Sequence, residues 1–160
     1  MFDVVFSKRL TATKVSRSLL RLIPKGRRVD VVESMDGLPD NPGSVWGLIN
    51  KTNDSSWPCA FDCLACSPDI GLGEYPDLRI AEHMSHTCAV DCLCFSTDFL
   101  FELDPQDPYW ALALIDGQWH LVSTCGMALM GPYSDGVSDI QGDSQIQIIR
   151  PVDVPTNIDA

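Results

Sequence analysis

The stretch 108–125, Pro-Tyr-Trp-Ala-Leu-Ala-Leu-Ile-Asp-Gly-Gln-Trp-His-Leu-Val-Ser-Thr-Cys, limits the fold more than any other part of the chain. Two runs of aromatic and branched residues flank Asp116 and Gly117. Asp-Gly suits a two-residue type I′ turn, whose central residues both need positive φ. The pattern predicts a β-hairpin, 109–115 paired with 118–124. Trp110, Leu112 and Leu114 fall on one face of its first strand, and Tyr109, Ala111, Ala113 and Ile115 on the other. Both faces are largely apolar, so this strand is expected to be central and covered on both sides.

The rest of the chain reads as short strands with two helices. Strands are expected at 2–6, 28–33, 45–51, 58–66, 88–96 and 145–150. Trp46 and Leu48 share a face of the third. A first helix is capped by Thr11 or Thr13 and runs to about Ile23, with Val15, Leu19, Leu22 and Ile23 as its apolar stripe. Pro24 and Gly26 end it. Asp77 is expected to cap a second helix over 78–87, buried through Leu78, Ile80, Ala81 and Met84. The glycines and Pro132 in 126–142 read as loop. The fold class is therefore α+β, a mostly antiparallel sheet with two helices packed on one face. Residues 1–150 are expected to form one domain and 151–160 a flexible C-terminal tail. One local echo stands out. Ser56-Trp-Pro-Cys-Ala-Phe-Asp-Cys-Leu and Ser85-His-Thr-Cys-Ala-Val-Asp-Cys-Leu agree at six of nine positions.

The net charge of −11 hides an asymmetry. Residues 1–28 hold eight of the eleven Lys and Arg and one acid, whereas 29–160 carry a net charge of −18. The basic segment either neutralises part of the acidic body or leaves that body as a docking field for a basic partner. Phosphate would be repelled by the body, so nucleic acid is not an expected partner. No apolar run approaches the ~20 residues of a membrane span, and the first residues lack the long apolar centre of a secretory signal. A cytoplasmic location, without membrane partners, is the expectation.

The chemistry-bearing residues point away from catalysis. The chain has no nucleophile elbow, phosphate-binding loop, dinucleotide fingerprint or His-Glu-x-x-His motif. It is read as a non-enzyme without a cofactor. An odd count of seven cysteines argues against a complete disulfide framework. Cys59 and Cys63 share a strand face, as do Cys88, Cys92 and Cys94, which is the pattern of small buried hydrophobes. The alternative is a zinc-stabilised adaptor or interaction domain using Cys63, Cys66, Cys88 or His83, with His86 also at hand. Redox chemistry at Cys63-x2-Cys66 is less expected, because reactive pairs favour helix starts.

The order helix, cysteine strand, acidic loop, then Asp107-Pro-Tyr-Trp…Asp116-Gly-Gln-Trp-His-Leu-Val resembles small bacterial immunity proteins of polymorphic-toxin and contact-dependent growth inhibition systems. The resemblance covers 78–123. It implies a protein that binds and neutralises the cognate C-terminal toxin domain in the producing cell. Many such toxins are nucleases with basic clefts, which an acidic surface would complement. The resemblance and the loop chemistry together make Asp69, Glu74, Asp77, Asp98, Glu102, Asp104 and Asp107 candidate contacts. Phe99, Phe101 and Tyr109 are candidate aromatic anchors.

Overall fold

The computed structural model describes residues 1–104, 106–125 and 146–155. The loop expected over 126–142 lies outside them. Among the described residues, one eight-stranded sheet runs in the order β2-β3-β4-β1-β5-β6-β7-β8. Its strands are β1 (Phe2–Phe6), β2 (Val29–Val32), β3 (Val45–Lys51), β4 (Cys59–Cys66), β5 (Cys92–Cys94), β6 (Trp110–Ile115), β7 (Gln118–Ser123) and β8 (Gln147–Pro151). Only β2 and β3 pair in parallel. Helices α1 (Ala12–Leu22) and α2 (Pro76–Cys88) pack on one face. The α+β architecture is as expected.

The central hairpin is confirmed. Ile115 pairs with Gln118, and Asp116 and Gly117 turn the chain at φ 48° and 79°. Leu112 and Leu114 join the core beneath the helices, while Ala111 and Ala113 are buried on the opposite face. That second face is paved with small side chains, Val5, Ala60, Leu93 and Val122 among them. The hairpin does not end the sheet, because β8 pairs with β7 beyond it.

Thr11 caps α1, accepting the Lys14 N–H at 3.1 Å. Val15 and Leu19 are buried in the core. The helices meet through polar groups at Ser18. Its hydroxyl lies 2.5 Å from that of Thr87, and its carbonyl is 2.6 Å from His83 Nε2.

Three expectations are corrected. Pro76 occupies the start of α2 and Tyr75 precedes it, so Asp77 sits inside the first turn and does not cap the helix. Residues 88–96 are not one strand. Cys88 closes α2, Ala89 turns at φ 51°, and only Cys92–Cys94 pair. The boundary expected at 150 falls within β8. Val152 is buried and donates its N–H to the Trp119 carbonyl at 3.1 Å, and Arg79 holds the Pro155 carbonyl at 2.7 Å. Residues 156–160 lie outside the described ones. The basic segment pairs directly with the acidic body at Arg27 and Asp69. Of its eight cations, only Arg27 makes an ion pair among the described residues.

The parallel β2–β3 pair lacks a crossover helix. Its connection is held instead by hydrogen bonds that each engage a backbone group. Ser44 N–H donates to the Arg28 carbonyl at 2.9 Å, Gly43 N–H donates to Asp30 Oδ2 at 2.6 Å, and Arg28 donates to the Asn41 carbonyl. A Cβ at Gly43 would lie 2.3 Å from the Arg28 carbonyl oxygen, so the approach requires glycine.

Candidate functional site

The connection 95–109 between β5 and β6 is a chain of turns. Leu100 N–H donates to the Thr97 carbonyl, Leu103 N–H to that of Leu100, and Asp107 N–H to that of Asp104, at 3.0 to 3.1 Å. Phe99, Leu100 and Leu103 anchor it on the core. Phe99 also meets Tyr75 edge to face, with ring centroids 5.4 Å apart. With those apolar residues turned inward, Asp98, Glu102, Asp104 and Asp107 are left outward and exposed.

Two acids here hold local turns. Asp104 Oδ1 accepts the Gln106 N–H, and Asp107 Oδ1 accepts the Tyr109 N–H, each at 2.9 Å. Glu102 pairs with Arg150 of β8. Asp98, Asp104 and Asp107 make no ion pair among the described residues. The start of α2 joins this surface through Tyr75. Loss of solvation, then the charges of Asp98 and Glu74, push the Tyr75 phenol above its ordinary pKa. Glu74 is exposed.

Aromatic exposure separates the three anchor candidates. Phe99 is half-buried and used in packing. Tyr109 is 48% exposed. Phe101 is 92% exposed, at the tip of the acidic turns. Of the three, Phe101 contributes least to the packing of the fold.

Two candidates do not belong to that surface. Asp77 is only 2% exposed and cannot touch a partner. Asp69 is exposed, but its carboxylate accepts from Ser67 and Arg27, both at 2.5 Å. The Ser67 hydroxyl, then the Arg27 guanidinium, hold the Asp69 carboxyl below its usual range.

Sequence reasoning missed a cleft at the other end of the sheet. It encloses about 480 Å³ between Gly26–Arg27–Arg28, Pro42–Gly43–Ser44 and Ala65–Cys66–Ser67. Arg27 spans it, donating to Ser44 Oγ at 3.1 Å as well as to Asp69. Gly47, a glycine inside a strand, was the available signal for irregular backbone here.

The ligand set considered for zinc is not gathered. No group of three or more His, Cys, Asp and Glu among the described residues could hold a metal ion. His83 is spent on the Ser18 carbonyl, and Cys59, Cys63, Cys92 and Cys94 are buried free thiols. No helix among the described residues is long and apolar enough to cross a membrane. Comparison of the chain with protein-family models, with curated proteins and with solved structures finds no match.

Proposed function

We propose that this chain is a non-enzymatic binding protein whose β5–β6 surface docks a basic protein domain. The observation that carries this reading is Phe101, 92% exposed among carboxylates that have no ion pair among the described residues. Apolar area at the centre supplies affinity, and the surrounding charge steers approach and excludes acidic competitors. The contact set is Glu74, Asp98, Phe101, Asp104, Asp107 and Tyr109, with Glu102 tempered by Arg150.

The partner we propose is a cognate toxin domain, neutralised one to one in the cytoplasm of the producing cell. The resemblance of 78–123 to immunity proteins supports that identity, and the acidic surface is compatible with a basic nuclease cleft. Native mass spectrometry of the protein purified from its own cells, at low and moderate salt, tests it. A one-to-one complex with a basic protein is expected. Charge reversal at Asp98, Asp104 and Asp107 should slow its association ~10-fold at low salt. Phe101→Ala should weaken it ~10-fold or more, mainly through faster dissociation. A complex whose rates ignore all four changes would move the interface elsewhere.

A further inference from the structure

In a regular strand, residues three apart point to opposite faces. Cys63 and Cys66 do not, because β4 carries a bulge. Trp46 pairs with Ala65 and Gly47 with Cys63, which leaves Leu64 without a partner. The extra residue reverses the alternation and puts both cysteines on the helix-covered face, where the Cys63 thiol donates to the Ala65 carbonyl at 3.4 Å. Gly47 permits the bulge, since a Cβ there would lie 2.1 Å from the Asp62 carbonyl oxygen.

Access to the pair is one-sided. Cys63 is fully buried in the core, while Cys66 is half-buried and lines the cleft beside Arg27 and Arg28. The neighbouring Cys63 side chain favours the Cys66 thiolate and lowers its pKa. The Cys63 thiol is pushed up by its Cys66 neighbour and by burial. Burial also raises the thiols of Cys59, Cys92 and Cys94, which are sealed beneath the helices.

We propose that Cys63 and Cys66 form a reversible dithiol, entered through Cys66 and oxidised by a low-molecular-weight anionic disulfide of the glutathione type. The Cys66 thiolate attacks one sulfur of that disulfide. The S–S bond breaks, a mixed disulfide forms on Cys66, and the departing thiolate takes up a proton. Cys63 then loses its proton and displaces the second thiol from Cys66. The products are one Cys63–Cys66 disulfide and two reduced small thiols, so the oxidant gains the two electrons the protein loses. Arg28, at the wall of the cleft, supplies positive charge for the carboxylates of such an oxidant, while Arg27 is already paired with Asp69.

The test is exposure of the full chain to oxidised glutathione, followed by trapping of free thiols, intact mass and peptide mapping. The wild-type peptide bearing Cys63 and Cys66 should lose two hydrogens and carry a Cys63–Cys66 link, whatever the exposed Cys125 takes up. Cys63→Ser should instead keep one glutathione, on Cys66. Arg28→Ala should slow the reaction with oxidised glutathione ~3-fold and leave that with a neutral hydroxyethyl disulfide unchanged. In the unmodified protein, limiting alkylation at neutral pH should mark Cys66 ~10-fold faster than Cys63, a readout independent of any variant's folding. A stable glutathione adduct on wild-type Cys66, or equal alkylation of the two thiols, would overturn the pair. Equal slowing of Arg28→Ala with both oxidants would overturn the role of Arg28.

Discussion

The segments 56–64 and 85–93 share six of nine residues and follow different backbone paths. In the first, Pro58 leads directly into β4, and Cys59, Ala60, Phe61 and Asp62 are all extended. In the second, the residues arrive at the end of a helix that Pro76 started. Cys88 completes that helix and Ala89 turns left-handed before β5 begins. Local identity therefore does not set the path here; what precedes each segment does. Both segments end beside β1. Phe6 pairs with Cys59 on one side and Cys92 on the other, so the two segments flank one strand in registers four residues apart. Their shared aspartates also diverge. Asp62 faces Asp3 across β1–β4, whereas Asp91 accepts the Asp116 N–H at 3.2 Å and steadies the hairpin turn.

The largest effect should come from breaking the first segment alone. Gly47→Ala forces a Cβ against the Asp62 carbonyl and should cost ~3 kcal/mol in chemical denaturation. A loss below ~0.5 kcal/mol would mean that β3 and β4 can separate without harm. The equivalent alanines should then respond with opposite signs. Ala89→Gly relieves a positive φ at an exposed helix end and should stabilise by ~1 kcal/mol. Ala60→Gly, in a strand, should destabilise by about the same amount. Like signs would erase the conformational contrast.

The aspartates give the smallest effect. Partial desolvation, followed by the hydrogen bond and charge of Asp62, raises the Asp3 carboxyl from 3.8 to about 6. Asp3 thus binds its proton more tightly in the folded state. Stability from this site is complete below pH 3.8 and is lost as pH rises towards 6. Asp3 is exposed overall, so solvent screening limits the loss to ~1 kcal/mol. Asp3→Asn should flatten stability between pH 4.5 and 7 by about that amount, Asp62→Asn should remove only part of the slope, and Asp91→Asn should leave it in place. A slope retained in Asp3→Asn would assign it to other groups.

Much of the fold was legible because its signals were local. Asp116-Gly117 names a turn type, Thr11 names a cap, and the alternation in 59–63 names a buried strand face. The end of α2 was not legible, because a left-handed turn at Ala89 lacks the glycine or asparagine that would announce it. Asp77 read as a cap because Asp often is one, but Pro76 had already taken the first helical position. In the candidate contact surface, exposure of the acids followed from composition. Which aromatic points outward did not, since Phe99 and Phe101 are distinguished only by which of them reaches Tyr75 and the core. The cleft was not legible because its walls come from three separated stretches of the chain.

The position of β1 carries a kinetic consequence. It joins the block built from β2, β3 and β4 to the block built from β5, β6, β7 and β8, and both of its partners lie far along the chain. The loops that must close before β1 gains its ladders are long, and their entropy is spent before any pairing returns it. The β6–β7 hairpin, with its two-residue turn, can form early and alone. Insertion of β1 between the blocks is then the slow step. Until it occurs, the edges of β4 and β5 stand open, and the protein is most vulnerable to pairing with another chain.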